Sequence, residues 1–177
     1  MKDALLVALL VGGMMAIGAV PHTLLPTLGG KSKDKRRFNA YAKTVASRLV
    51  RQGLAAWVRR DGISYLRITE AGRHKLAFTR EKMRLKDEKR RWDGRWRMVA
   101  FDLPERRRTV RARLRATMAE VGFVRLQDSV WVYPHDCEEF IALLKAELKI
   151  GKDALYAIVE RIENDKTIRA HFHLPLA

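Results

Sequence analysis

The stretch Trp92-Asp93-Gly94-Arg95-Trp96-Arg97-Met98-Val99-Ala100-Phe101-Asp102-Leu103-Pro104-Glu105 decides how this 177-residue chain folds. From Arg97 to Leu103 the apolar residues are nearly continuous, which predicts a strand buried in a sheet. The strand runs straight into Asp-Leu-Pro-Glu. Pro104 suits a first helical position, where an N–H would have no partner anyway, and Glu105 suits the first turn, where the helix dipole favours an acid. A helix is expected from Arg106 to Val121, with Val110, Leu114, Met118 and Val121 inward and Gly122 ending it.

Working outward, Phe123–Leu126 and Val130–Tyr133 read as two short strands around a turn at Asp128. Cys137–Leu148 reads as a helix with Phe140, Leu143, Leu144 and Leu148 inward, and Leu155–Ile162 as a last strand. The order β-α-β-β-α-β over about residues 96–163 is the ferredoxin-like arrangement. That fold hosts many functions and by itself names none.

Two segments carry a resemblance: Trp92 to Glu105, and Leu126-Gln-Asp-Ser-Val-Trp-Val-Tyr-Pro134. Together they resemble the Cas2-like domain of CRISPR Cas2 proteins and of transcriptional repressors of the phenylacetic-acid (PaaX) family. The Trp-Asp-Gly-Arg-Trp lead-in and the Ser-Val-Trp-Val-Tyr-Pro ending look more like the repressor branch. The resemblance implies a DNA-binding repressor acting as a homodimer on double-stranded DNA. It spans roughly residues 33–165 and leaves out that family's further carboxyl-terminal domain, so the effector is unspecified.

The charge points the same way. The net charge is +16 with a pI near 10.5, which calls for a polyanionic partner. Residues 31–95 hold 21 Lys and Arg against 7 Asp and Glu, whereas residues 96–177 hold 14 against 12. A merely solvated face would mix the signs more evenly.

That basic segment has its own pattern. Asp34–Gln52 reads as a helix with Phe38, Tyr41, Val45 and Leu49 on one stripe. Leu54–Val58 and Ile63–Ile68 read as strands joined through Arg59-Arg60-Asp61-Gly62, and Asp-Gly is a strong hairpin signal. Thr69 then caps a new helix. Leu66-x-Ile68-Thr69-x-x-Gly72-x-x-x-Leu76 resembles the end of a winged helix-turn-helix. On this reading the chain is α+β: a winged helix over residues 1–79, a charged connector without an apolar face over 80–94, and a Cas2-like ferredoxin-fold domain over 95–177. Lys33, Lys35, Arg36, Arg37, Asn39 and Lys43 then belong to the recognition helix and its approach. Arg36, Asn39 and Lys43 share a face, and Arg pairs well with guanine and Asn with adenine in the major groove. Arg59 and Arg60 at the wing tip suit phosphate or minor-groove contacts. The motif's other helix would fall at Pro21–Gly30, which holds two prolines and two glycines.

Residues 4–30 contain no charged side chain. Ala4–Val20 has two readings: a buried first helix, preferred here with a cytoplasmic protein, or a membrane or signal segment. The run is short of the ~20 residues a span needs, and glycines interrupt it. The second reading would make a membrane-anchored basic protein.

Asp102 raises the enzyme alternative. The resemblance to Cas2 nucleases implies that an acid there, paired with its counterpart across a dimer, holds a metal ion; two carboxylates could bind Mg²⁺ and position water. The preferred reading makes Asp102 the cap of the helix at Pro104, with no metal and no cofactor. Ser129 could assist the metal site or equally be a turn residue. His171 and His173 are a weak metal pair without a nearby acid. Gly12-Gly13 and Gly29-Gly30 fit no phosphate loop. The lone Cys137 allows no intrachain disulfide and reads as a buried small residue.

Overall fold

The computed structural model describes residues 14–16, 35–87 and 91–175, with side chains over 43–86 and 91–175. The chain divides into two units, residues 1–79 and 80–177.

In the first unit, helix α1 (Lys35–Arg51) leads into strands β2 (Ala55–Arg60) and β3 (Ile63–Ile68), and helix α2 (Glu70–Asp87) follows. Val45, Ala46 and Leu49 of α1 recur at helical spacing and bury against Ala55, Leu66, Ile68 and Leu76. The hairpin pairs Ala55 with Ile68 and Arg60 with Ile63. Its turn residues Asp61 and Gly62 have φ of 50° and 76°, the doubly left-handed turn that matches the strands' twist.

The expected helix over Ala4–Val20 is corrected where it can be seen. Met14–Ala16 is a strand, β1, paired antiparallel with β3 through Met14–Arg67, Met15–Leu66 and Ala16–Tyr65, giving the sheet order β1-β3-β2. A uniformly apolar run has neither helical nor strand period, so its sequence could not separate the two. Pairing there satisfies the outer edge of β3, which would otherwise present bare N–H and C=O groups. The rest of that run, and Pro21–Gly30, lie outside the described residues.

The charged connector is helical in its first part. Residues 80–87 continue α2, and Leu85 is buried. Its carbonyl accepts a hydrogen bond from the Tyr133 hydroxyl at 2.9 Å, and Lys82 and Lys86 both bond to Glu120. One leucine among so many charges left no visible stripe in the sequence.

In the second unit the strands are β4 (Trp96–Phe101), β5 (Val124–Gln127), β6 (Val130–Tyr133) and β7 (Ala154–Val159). The helices are α3 (Arg108–Val121), α4 (Glu138–Leu148) and a short α5 (Lys166–His171). The sheet order is β5-β6-β4-β7 with every neighbouring pair antiparallel, which is the ferredoxin-like arrangement. The registers put Trp96, Met98 and Ala100 on one face and Arg97, Val99 and Phe101 on the other. Trp96 and Val132 anchor the first face under Ile168, Phe172 and Leu174 from the carboxyl-terminal end. Phe101, on the second face, lies under the Arg115 guanidinium of α3. Ile141 is a buried core residue of α4 where the sequence pattern suggested Leu143, which is only half-buried.

Asp102 does not cap a helix. A 3₁₀ turn, Glu105–Arg107, precedes α3, and the residues at the two cap positions are Pro104 and Arg107, neither with a side-chain cap bond. Pro104 is extended (φ −61°, ψ 156°), which separates the exposed Asp102 from the first turn.

Candidate nucleic-acid interface

The basic surface of the first unit is built on a rigid junction. Thr69 at the start of α2 accepts a hydrogen bond from Gly72 N–H at 3.1 Å, the N-cap expected of it. Its hydroxyl also donates to the Gly53 carbonyl at 2.6 Å, and its N–H donates to the Leu54 carbonyl at 3.1 Å. Gly53-Leu54 is the link between α1 and β2, so one threonine ties α2 to the point where the helix hands over to the hairpin. Gly72 makes the approach possible: a Cβ there would lie 2.0 Å from the Leu54 carbonyl oxygen.

From this frame project the cations. Lys43 is exposed on α1, and Arg59 and Arg60 are exposed at the hairpin. Arg60 lies 3.9 Å from Asp61, but both side chains are in water, so the pair is worth little and leaves the guanidinium available. Lys35, Arg36, Arg37 and Asn39 fall on the backbone of α1, with their side chains outside the described residues, and Lys33 lies outside altogether. Arg48, Arg51 and Arg67 are further exposed cations on the same elements, which the motif reading passed over. Position on α1 and on β3 was the available signal.

In the second unit Asp102 lines a shallow depression of about 500 Å³ with Ser129, Lys152, Asp153 and Leu155. Its backbone N–H donates to the Asp153 carbonyl at 2.9 Å. A second acid therefore stands beside it, which spacing in the sequence did not reveal. The Asp153 carboxylate is engaged by Arg107 Nη1 at 2.8 Å, and the same guanidinium binds the Leu148 and Lys149 carbonyls that end α4. Among the described residues no group of three or more His, Cys, Asp and Glu comes together. The His171 ring packs edge-on against Phe172. Cys137 is fully buried, and burial pushes its thiol up to about 12, the opposite of an activated nucleophile.

The Trp-Asp-Gly-Arg-Trp-Arg segment forms a clamp. Arg97, 8% exposed, donates to both Asp93 oxygens at 2.6 and 2.7 Å and also to the Arg95 and Pro134 carbonyls. The bidentate guanidinium holds the Asp93 carboxyl at about 2, well below its ordinary range. Trp92 packs 5.1 Å from Trp96, and Arg169 stacks over Trp92 at 4.8 Å. Asp165 accepts from both Trp96 Nε1 and Arg169 Nε.

Residues 89–170 match the family model of the PaaX protein central Cas2-like domain. This part of the chain is similar to the PaaX-type Cas2-like domain. No curated protein matches the sequence. Within the matched segment the residues that carry the likeness are structural. Asp93 and Arg97 bolt the lead-in to Pro134 at the end of the second signature, and Trp92 and Trp96 hold the carboxyl-terminal α5. Among the described residues no helix is long and apolar enough to cross a membrane.

Proposed function

We propose that the chain is a PaaX-type transcriptional regulator, a repressor that binds double-stranded DNA as a dimer. One observation supports this above the rest: a PaaX-type central domain follows directly on a helix–hairpin–helix unit whose described surface is studded with cations. In this reading the first unit is a winged helix. Lys33, Lys35, Arg36, Arg37, Asn39 and Lys43 serve the recognition helix, Arg59 and Arg60 the wing, and β1 is the sheet's third strand. Helix side chains can meet base edges while hairpin cations meet phosphate.

The Cas2-type nuclease reading has less support. Its acid, Asp102, has Asp153 as nearest carboxylate neighbour in the depression, and Arg107 already neutralises that group. Selection of binding sites from random duplexes tests the proposal. Arg36→Ala and Asn39→Ala are expected to weaken the selected site more than random DNA, and Arg59→Ala and Arg60→Ala to weaken both alike. Equal effects of all four on both duplexes would refute the recognition-helix assignment. Metal-dependent cleavage by the parent, lost in Asp102→Asn, would establish the nuclease instead.

A further inference from the structure

The two edges of the second unit's sheet are not alike. β5 carries exposed Arg125, and its pairing with β6 shifts register between Arg125 and Gln127. A charge and a bulge are the usual means of keeping an edge from pairing with another chain. β7 has neither. Its six residues, Ala-Leu-Tyr-Ala-Ile-Val, are uncharged in a chain one-third charged, and they hold no proline or glycine. Leu155 is 63% exposed and Ile158 52%, on opposite faces of the strand. β7 pairs with β4 along one side, and among the described residues no strand pairs along the other.

We infer that a second copy of this chain covers this edge, β7 pairing antiparallel with β7 about a two-fold axis at Tyr156. The inference rests on the dimer proposed above and not on its DNA contact. Shape selects this register. With Tyr156 at the axis, Leu155 stands opposite Ala157 of the second copy and Ile158 opposite its Ala154, so each exposed large side chain meets an alanine. The two-fold makes each match occur twice, as a self-complementary interface requires. Moving the axis to Ala157 would set Leu155 against Val159 and Tyr156 against Ile158, large against large. A chain of net charge +16 repels its copy in general, so a strand without charged residues is a favourable place to meet.

Sedimentation of the full chain at micromolar concentrations tests this. The parent is expected to be a dimer. Leu155→Lys and Ile158→Lys change exposed side chains and are expected to give folded monomers, with unchanged amide protection on β4. A monomeric parent, or a dimer indifferent to both lysine variants, overturns the pairing. DNA binding measured on the same samples separates the claims: a monomer that still binds DNA refutes only the pairing, and a β7-dependent dimer that ignores DNA refutes only the regulator.

Discussion

Gly72→Ala is the sharpest perturbation of the first unit. The new methyl would sit 2.0 Å from the Leu54 carbonyl oxygen and 2.7 Å from Ile68 Cγ1. The first is backbone, so relief requires α2 and the Gly53-Leu54 link to part by about 1 Å. Overpacking of this kind costs ~1–3 kcal/mol. The movement also strains the Thr69 N–H to Leu54 and Thr69 hydroxyl to Gly53 bonds, each worth about 1 kcal/mol. Alanine returns about 1 kcal/mol through its better helix propensity. The net is a loss of about 2–3 kcal/mol confined to the first unit. Amide exchange of the full chain reads it by region. Protected amides of β2 and β3 are expected to exchange roughly 30- to 150-fold faster, while β4 and β6 are unchanged. Exchange in β2 and β3 as slow as in the parent would refute the close approach and the junction built on it.

The clamp makes a second prediction. Asp93→Ala leaves Arg97 buried without its counter-charge and is expected to cost about 2 kcal/mol in urea unfolding, less than a fully buried pair because Asp93 is half-exposed. The pH dependence follows from the lowered carboxyl: its contribution is complete above about pH 4 and is lost as pH falls through about 2, a loss that Asp93→Asn lacks. Asp102→Asn is expected to leave stability within about 0.5 kcal/mol, since the side chain is exposed and caps nothing. Cys137 is expected to resist alkylation until the unit unfolds; rapid native-state labelling would contradict its burial.

Much of the second unit was legible because its strands are short apolar runs and its helices keep a clean period. Val130–Tyr133 is found where its apolar run put it, and Leu114, Met118 and Val121 are buried as their spacing demanded. The failures share a cause, since each depends on contacts distant in the chain. β1 forms because β3 has an edge to offer, and the buried Leu85 offers its carbonyl to the hydroxyl of Tyr133, 48 residues on. Asp102 looked like a cap because Asp-Leu-Pro-Glu is a helix start in one dimension, whereas the extended Pro104 delays the helix to Arg108. The candidate DNA-contacting residues were readable as a charge excess, and Thr69 with Gly72 as a motif. That the motif locks the Gly53-Leu54 link required the fold.

Equilibrium binding of the full chain to duplex DNA across salt tests the regulator most directly. Each phosphate neutralised by Lys or Arg releases counterions, so six or more contacts should cost on the order of 10³ in affinity between about 50 and 200 mM salt. Arg59→Ala with Arg60→Ala should reduce the slope by about 2. A steep slope that falls by that amount is the expected result; binding indifferent to salt, or a slope the two substitutions leave unchanged, would contradict a DNA interface built on α1 and the β2–β3 hairpin.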